Sequence, residues 1–129
     1  MLPAGMVLQR ILLVDDDADI RTIGELALAS VGGFEVRAVG SGRAALEDAR
    51  EHPPDVILLD VMMPGLDGPA TFAELRAAPE LQSIPVIFMT AKVQTHELEG
   101  YRALGATGII PKPFDPMTLA DEVRRIMNG

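Results

Sequence analysis

The chain has 129 residues, of which 48% are hydrophobic, and this length and composition predict one domain with a single core. Its formal net charge of −8 at pH 7 argues against general electrostatic attraction to a phosphate backbone, so we expect no direct nucleic-acid partner. The absence of cysteine excludes disulfides, thiolate catalysis and thiolate metal ligands, and it suits a cytoplasmic protein.

Five short apolar runs alternate with stretches of helical periodicity. The runs that predict strands cover residues 11–14, 34–39, 56–59, 86–89 and 109–110. The second run alternates apolar and polar residues, whereas the others are apolar throughout, so we place it at an edge of the sheet. Five strands alternating with five helices predict an α/β fold with an open parallel sheet and helices on both faces.

Capping residues predict where the helices begin. Ser41 and Thr95 are predicted N-caps, and Asp67 and Asp115 are each predicted to cap a helix whose first turn contains a proline. The core face of the first helix is predicted from the spacing of Ile20, Ile23, Ala27 and Val31. We expect residues 1–8 to be a short N-terminal extension and residues 9–129 to be the domain. No apolar stretch reaches the roughly 18 residues of a membrane-spanning helix, so we expect no membrane partner.

Polar side chains follow four of the predicted strands at the point where each strand ends. They are Asp15 and Asp16, Asp60, Thr90 and Lys112. Because the carboxyl ends of parallel strands share one edge of a sheet, these side chains are expected to meet there. Carboxylates about 4.5 Å apart repel by roughly 4 kcal/mol at an effective dielectric near 20, so three together favour a bound cation. Oxygen ligands indicate a hard divalent ion such as Mg²⁺.

This set of groups suits phosphoryl transfer. A carboxylate can act as the nucleophile and form an acyl phosphate, while a metal ion, an ammonium and a hydroxyl neutralise the oxygens of the transferred group. Lys112 and Thr90 supply the ammonium and the hydroxyl. Each residue alone has an ordinary explanation, since an aspartate after a strand is commonly a turn or cap residue. Their joint placement favours a functional site.

The motifs resemble those of response-regulator receiver domains, especially the single-domain chemotaxis-type regulators, over residues 9–127. They are Val14-Asp15-Asp16, residues 60–68, Met89-Thr90-Ala91 and Lys112-Pro113-Phe114. The resemblance implies a flavodoxin-like sheet of order 2-1-3-4-5 and a cis bond between Lys112 and Pro113. It also implies a magnesium-dependent phosphoacceptor switch of a two-component or phosphorelay system, which is a signalling protein and not a turnover enzyme.

The resemblance further implies a role for each motif residue. Asp60 would be the phosphoacceptor, and Thr90 and Lys112 would contact the phosphoryl group. The implied magnesium ligands are Asp15 through water, Asp16, Asp60 and the backbone carbonyl of Met62. The implied partners are a sensor histidine kinase or phosphotransfer protein, which donates from phosphohistidine, and an unidentified downstream protein. The chain would be a monomer or a phosphorylation-dependent homodimer.

Two positions near the site bear on how such a switch works. Many receivers carry an aromatic switch residue where this chain has Ile109, which has no ring to rotate towards Thr90. We therefore expect the surface of the fourth helix and fifth strand to change less on activation than in aromatic-bearing relatives. Met62 and Lys92 occupy the positions that tune phosphoryl loss in the family, and the apolar Met62 is expected to favour a longer-lived phosphoryl state.

Three alternatives stay open. The first is a haloacid-dehalogenase-type phosphatase with Asp15 as the nucleophile, although Asp19 stands where that family has Thr or Val and Asp60 has no role there. The second is a flavin or nucleotide binder, whose phosphate the acidic residues 15–17 would repel. The third is a receiver that only acts as a scaffold. The sequence also does not decide between a diffusible switch and a part of a longer chain.

Overall fold

The computed structural model describes residues 7–129, which form a three-layer α/β fold. The strands are β1 (Arg10–Val14), β2 (Glu35–Val39), β3 (Val56–Asp60), β4 (Val86–Thr90) and β5 (Gly108–Pro111). The helices are α1 (Ala18–Leu26), α2 (Gly42–Glu51), α3 (Gly68–Ala77), α4 (Thr95–Leu104) and α5 (Leu119–Asn128). A π-helical turn, Ala27–Val31, continues α1. Most of the expected N-terminal extension, residues 1–6, lies outside the described part, so its boundary stays a prediction.

The sheet is parallel throughout, and its strand order β2-β1-β3-β4-β5 confirms the predicted order. Every residue of β3 and β4 is buried, whereas no residue of β2 is, which confirms that the alternating strand lies at an edge. The register places Asp60 beside Met89 and Thr90 beside Pro111. The carboxyl ends of β3, β4 and β5 therefore lie side by side.

Two apolar layers sandwich the sheet. Successive residues of a strand point to opposite faces, so in β1 Leu12 and Val14 pack towards α2 and α3, and Ile11 and Leu13 pack towards α1 and α5. Full burial of an aliphatic side chain of this size stabilises a fold by about 1.5–3 kcal/mol. Among residues 7–129, no helix combines the length and the apolar character that crossing a bilayer requires.

The first helix buries only part of the predicted face, since Ala27 is 2% exposed as predicted, whereas the other predicted positions are not buried. Gly24 and Leu28 are buried, whereas Ile23 and Val31 are 43% and 51% exposed. The helix approaches the sheet most closely at Gly24, where an added Cβ would lie 2.7 Å from the Leu13 side chain. The π-helical turn then shifts the facing of the following residues, so a regular period of 3.6 residues does not describe the segment.

Two predicted caps are confirmed and two are wrong. The Ser41 and Asp67 side chains accept hydrogen bonds from the first turns of α2 and α3. Thr95 is instead the first residue of α4, because the Gln94 carbonyl already accepts the first helical hydrogen bonds. Asp115 caps a preceding turn by accepting the N–H of Met117 at 2.8 Å, so α5 begins only at Leu119.

Candidate functional site

Three carboxylates form an acidic cluster at the carboxyl edge of the sheet. The cluster consists of Asp15, Asp16 and Asp60, and one oxygen from each lies within 4.8 Å of the others. Asp15 directly follows β1 and Asp60 ends β3, and the two strands are neighbours in the sheet. Asp15 and Asp60 are 0% and 3% exposed, whereas Asp16 is open to solvent. The structure therefore brings together the three aspartates that the sequence placed at one edge.

Lys112 is the cation that contacts this acidic cluster. Its Nζ donates hydrogen bonds to Asp15 Oδ2 at 2.8 Å and to Asp60 Oδ1 at 3.3 Å. Its backbone N–H donates to the Thr90 carbonyl at 2.9 Å, and the peptide bond between Lys112 and Pro113 is cis, as the resemblance implied. Within residues 7–129, one ammonium thus faces three carboxylates, and negative charge remains in excess.

Burial, and after it the neighbouring charge of Asp15, raise the pKa of Asp60 above its usual range, against the opposing effect of Lys112. Burial acts to lower the pKa of Lys112, but the hydrogen bond and charge of Asp15, together with Asp60, raise it overall. Lys112 is therefore firmly protonated, and its single charge leaves the Asp60 carboxylate undercompensated. A further cation at this edge would stabilise the ionised form of Asp60.

Thr90 completes the set of groups around Asp60. Thr90 is the last residue of β4 and is 1% exposed. Its Oγ1 accepts the backbone N–H of Lys92 at 3.0 Å, which fixes the side chain at the edge of the sheet. The Lys92 side chain itself is exposed. A threonine hydroxyl that accepts one hydrogen bond still has its own proton to donate to a bound anion.

The two remaining predicted positions, Met62 and Ile109, lie at different depths. Met62 follows Asp60 by two residues, and its side chain is 62% exposed, so the thioether lies beside the site and not in the core. Ile109 is half-buried and packs, as Tyr101 does, against the core cluster that contains Phe88. The Tyr101 ring of α4 lies 5.4 Å from the Phe88 ring of β4. Although position 109 is aliphatic, the surrounding region therefore contains two packed aromatic rings, those of Phe88 and Tyr101.

One contact at the site was not predicted from the sequence. Arg21, the fourth residue of α1, donates from Nη1 to the backbone carbonyl of Asp15 at 2.8 Å. This contact joins residues six positions apart through a long side chain, and no pattern in the sequence marks it.

The acidic cluster fits a magnesium ion in its donor chemistry. Mg²⁺ prefers oxygen ligands, usually one or two carboxylates together with waters and phosphate oxygens. Asp16 and Asp60 offer carboxylate oxygens at short separation, one exposed and one buried, so an ion there can keep part of its hydration shell. Lys112 neutralises only part of the negative charge of the three carboxylates, and the remaining negative charge would attract a cation.

Comparisons with known proteins agree with this architecture. The model of the response regulator receiver domain matches residues 11–124. The chain is 39% identical over 116 residues to the DNA-binding response regulator MtrA of Mycobacterium tuberculosis, covering 90% of this chain and 49% of that protein. It is 34% identical over 118 residues to the response regulator Rre1 of Synechocystis, covering 91% and 51%. The chain therefore spans about half the length of these relatives.

Solved structures give the same result. The chemotaxis response regulator CheY4 of Vibrio cholerae superimposes with a TM-score of 0.85 at 32% identity, covering 93% of this chain and 99% of that one. The receiver domain of a signal transduction histidine kinase from Syntrophus aciditrophicus gives a TM-score of 0.79 at 31% identity, covering 94% and 91%. On the family match, the fold and these relatives, the chain belongs to the response-regulator receiver domain family.

Proposed function

We propose that this receiver domain is a magnesium-dependent phosphoacceptor switch that is phosphorylated on Asp60. The observation that carries the proposal is a buried carboxylate with a raised pKa, held between Lys112 and two further carboxylates at the carboxyl edge of the sheet. The donor is the phosphohistidine of a sensor histidine kinase or of a phosphotransfer protein. The phosphorylated domain then binds a downstream protein, as a monomer or as a phosphorylation-dependent homodimer.

The chemistry requires a nucleophile, a way to neutralise charge and a leaving group. An Asp60 carboxylate oxygen attacks the phosphorus, a P–O bond forms, and the P–N bond to the donor histidine breaks. Lys112 Nζ, already 3.3 Å from Asp60 Oδ1, contacts one phosphoryl oxygen, and the Thr90 hydroxyl donates to another. Asp16, Asp60, the Met62 carbonyl and, through water, Asp15 would hold a Mg²⁺ ion, which would supply the remaining neutralisation.

The proposed activity is regulatory. The acceptor is a side chain of the protein itself, so each phosphorylation event consumes the site until the acyl phosphate hydrolyses. The domain accelerates its own loading through Lys112 and the metal but does not turn over a metabolite. With a net charge of −8, it is proposed to act on a protein and not directly on nucleic acid.

The phosphatase alternative, with Asp15 as the nucleophile, is not favoured by the family match. The geometry gives a physical reason. Asp15 is fully buried, its Oδ1 accepts the N–H of Asp17 at 2.9 Å, and its Oδ2 accepts Lys112 Nζ at 2.8 Å. Both oxygens are therefore engaged and shielded, so Asp15 is a poor nucleophile.

Intact-mass measurement with acetyl phosphate tests the proposal. We expect the wild-type protein to gain the mass of one phosphoryl group in the presence of Mg²⁺ and to gain almost none after chelation by EDTA. The variant Asp60→Asn should gain none under either condition. The matched variant Asp19→Asn changes an exposed aspartate of α1 and should label normally. A full adduct on Asp60→Asn would contradict the assignment of the acceptor.

The exposed thioether of Met62 leads to a prediction about the lifetime of the phosphoryl group. A polar side chain at this position can orient water for attack on the acyl phosphate, whereas a thioether accepts hydrogen bonds only weakly. We expect Met62→Asn to speed the loss of phosphate several-fold, measured as decay of the phosphorylated mass after removal of the donor. Met117→Asn, at a comparably exposed methionine, is the control. Equal decay in Met62→Asn and the wild type would contradict the prediction.

A further inference from the structure

We propose that Arg21 is a positioning residue that sets the magnesium affinity of the acidic cluster, an inference that rests on the proposed function. Arg21 Nη1 donates to the backbone carbonyl of Asp15 at 2.8 Å. The same guanidinium covers Gly40, after β2, where an added Cβ would lie 2.9 Å from Nη1. The Arg21 guanidinium is therefore bonded to the loop that follows β1 and lies against the loop that follows β2. Only a residue without a side chain at position 40 leaves room for this contact.

Hydrogen bonds restrain the carboxylates of the acidic cluster to different degrees, so the backbone near the less restrained one matters more. The Asp15 carboxylate is fixed on both oxygens, by the Asp17 N–H and by Lys112 Nζ. In the described part of the chain, the Asp16 carboxylate accepts no hydrogen bond, and the residue is exposed. The backbone therefore sets the direction in which the Cβ of Asp16 points, and no hydrogen bond from the described part of the chain restrains its carboxylate.

Arg21 acts on that backbone. The carbonyl that it binds belongs to the peptide group that joins Asp15 to Asp16. The N–H on the other side of Asp15 donates to the Val39 carbonyl at 3.1 Å, so both peptide groups that flank Asp15 are fixed. With Arg21 in place, the Asp16 carboxylate is presented towards Asp60 before a metal arrives. Without Arg21, part of the free energy of metal binding would be spent on ordering the loop that contains Asp15 and Asp16, and the metal affinity would fall.

If Arg21 positions the metal ligands, its removal should weaken Mg²⁺ binding, whereas if only its positive charge matters, its removal should strengthen Mg²⁺ binding. A guanidinium carries a positive charge, and its removal from the neighbourhood of a cation site would by itself strengthen cation binding. Loss of an outer partner that orients a metal ligand typically weakens metal affinity by about 10–100-fold. A weaker affinity in a variant that lacks the Arg21 charge is therefore a specific sign of positioning.

The test is a Mg²⁺ titration of the protein followed by amide chemical shifts, which does not depend on phosphorylation. We expect about tenfold weaker Mg²⁺ binding in Arg21→Met and in Gly40→Ala. The second variant keeps the net charge and displaces only the end of a flexible side chain, so it folds even where the first does not. Arg43→Met, at an exposed arginine of α2, loses the same charge and should bind Mg²⁺ at least as tightly as the wild type.

Thermal unfolding without metal separates positioning from general stability. Reduced stability of the Arg21 and Gly40 variants with unchanged Mg²⁺ affinity would make Arg21 merely structural and would overturn the proposal, as would tighter binding in Arg21→Met. Both results leave the proposed function intact. A wild-type protein whose amides near Asp60 do not respond to Mg²⁺ would overturn the proposed function as well, so the two failures are distinguishable.

Discussion

Replacing Lys112 with methionine is expected to slow phosphorylation by acetyl phosphate by about 100-fold or more. Removal of one preorganised charge-stabilising donor typically costs that much, because no other group takes over at the transition state. Lys112 Nζ bridges Asp15 and Asp60 and is the one cation within reach of both in the described residues. The initial rate of adduct formation, measured by intact mass at saturating Mg²⁺, checks this expectation.

The same substitution is expected to lower the free energy of unfolding by about 3 kcal/mol in metal-free buffer. Removing one partner of a buried ion pair leaves uncompensated charge, here two buried carboxylates. Denaturant unfolding measures the loss. The matched control is Lys92→Met, because that side chain is exposed and only its backbone contacts Thr90. A stability loss as large in Lys92→Met as in Lys112→Met would contradict this account.

Replacing Asp60 with asparagine is expected to stabilise the metal-free protein at neutral pH, seen as a higher free energy of unfolding than that of the wild type. Burial and the charge of Asp15 raise the pKa of Asp60 in the folded state above its value in the unfolded chain. The folded state therefore binds more protons than the unfolded state between these two values, and stability falls as the pH rises through that range. Asparagine removes the penalty while Lys112 keeps its closer partner, Asp15.

The difference in stability between Asp60→Asn and the wild type is expected to depend on pH with a definite sign. The advantage of Asp60→Asn over the wild type should be largest above the raised pKa of folded Asp60 and should shrink as the pH falls through that pKa, because Asp60 of the folded wild type then becomes protonated. Saturating Mg²⁺ should stabilise the wild type more than the variant and narrow the difference. Denaturant unfolding of both proteins at several pH values, with and without Mg²⁺, measures these differences in stability. A destabilised Asp60→Asn at pH 7 without metal would contradict the interpretation.

Much of the fold could be predicted because strand burial leaves a local pattern in the sequence. The continuous apolar runs that became β3 and β4 are buried on both faces, and the alternating run became the edge strand β2. The site followed from the same logic, since Asp60 and Thr90 end strands that are neighbours in the sheet. In a parallel sheet, residues at strand ends meet whatever their separation along the chain.

The parts that could not be predicted depend on contacts between distant segments. The buried face of α1 is set where Gly24 meets Leu13, and no helical period contains that information. The π-helical turn brings Gly32 to α5, where an added Cβ would lie 2.5 Å from Ala120 Cβ. Where Arg21 contacts Asp15, its guanidinium lies against Gly40 from another loop. In each case, packing between distant segments set the geometry, whereas the conformational preferences of the local sequence did not.

The proposed switch depends on a divalent cation that the acidic cluster holds beside Asp60. The most direct test is a crystal structure of the protein with Mn²⁺ in place of Mg²⁺, in which anomalous scattering locates the ion. We expect one strong peak within about 2.3 Å of carboxylate oxygens of Asp16 and Asp60 and of the Met62 carbonyl oxygen, with Lys112 Nζ still at the site. A structure at saturating Mn²⁺ with no peak at the acidic cluster, or with the ion bound elsewhere, would contradict it.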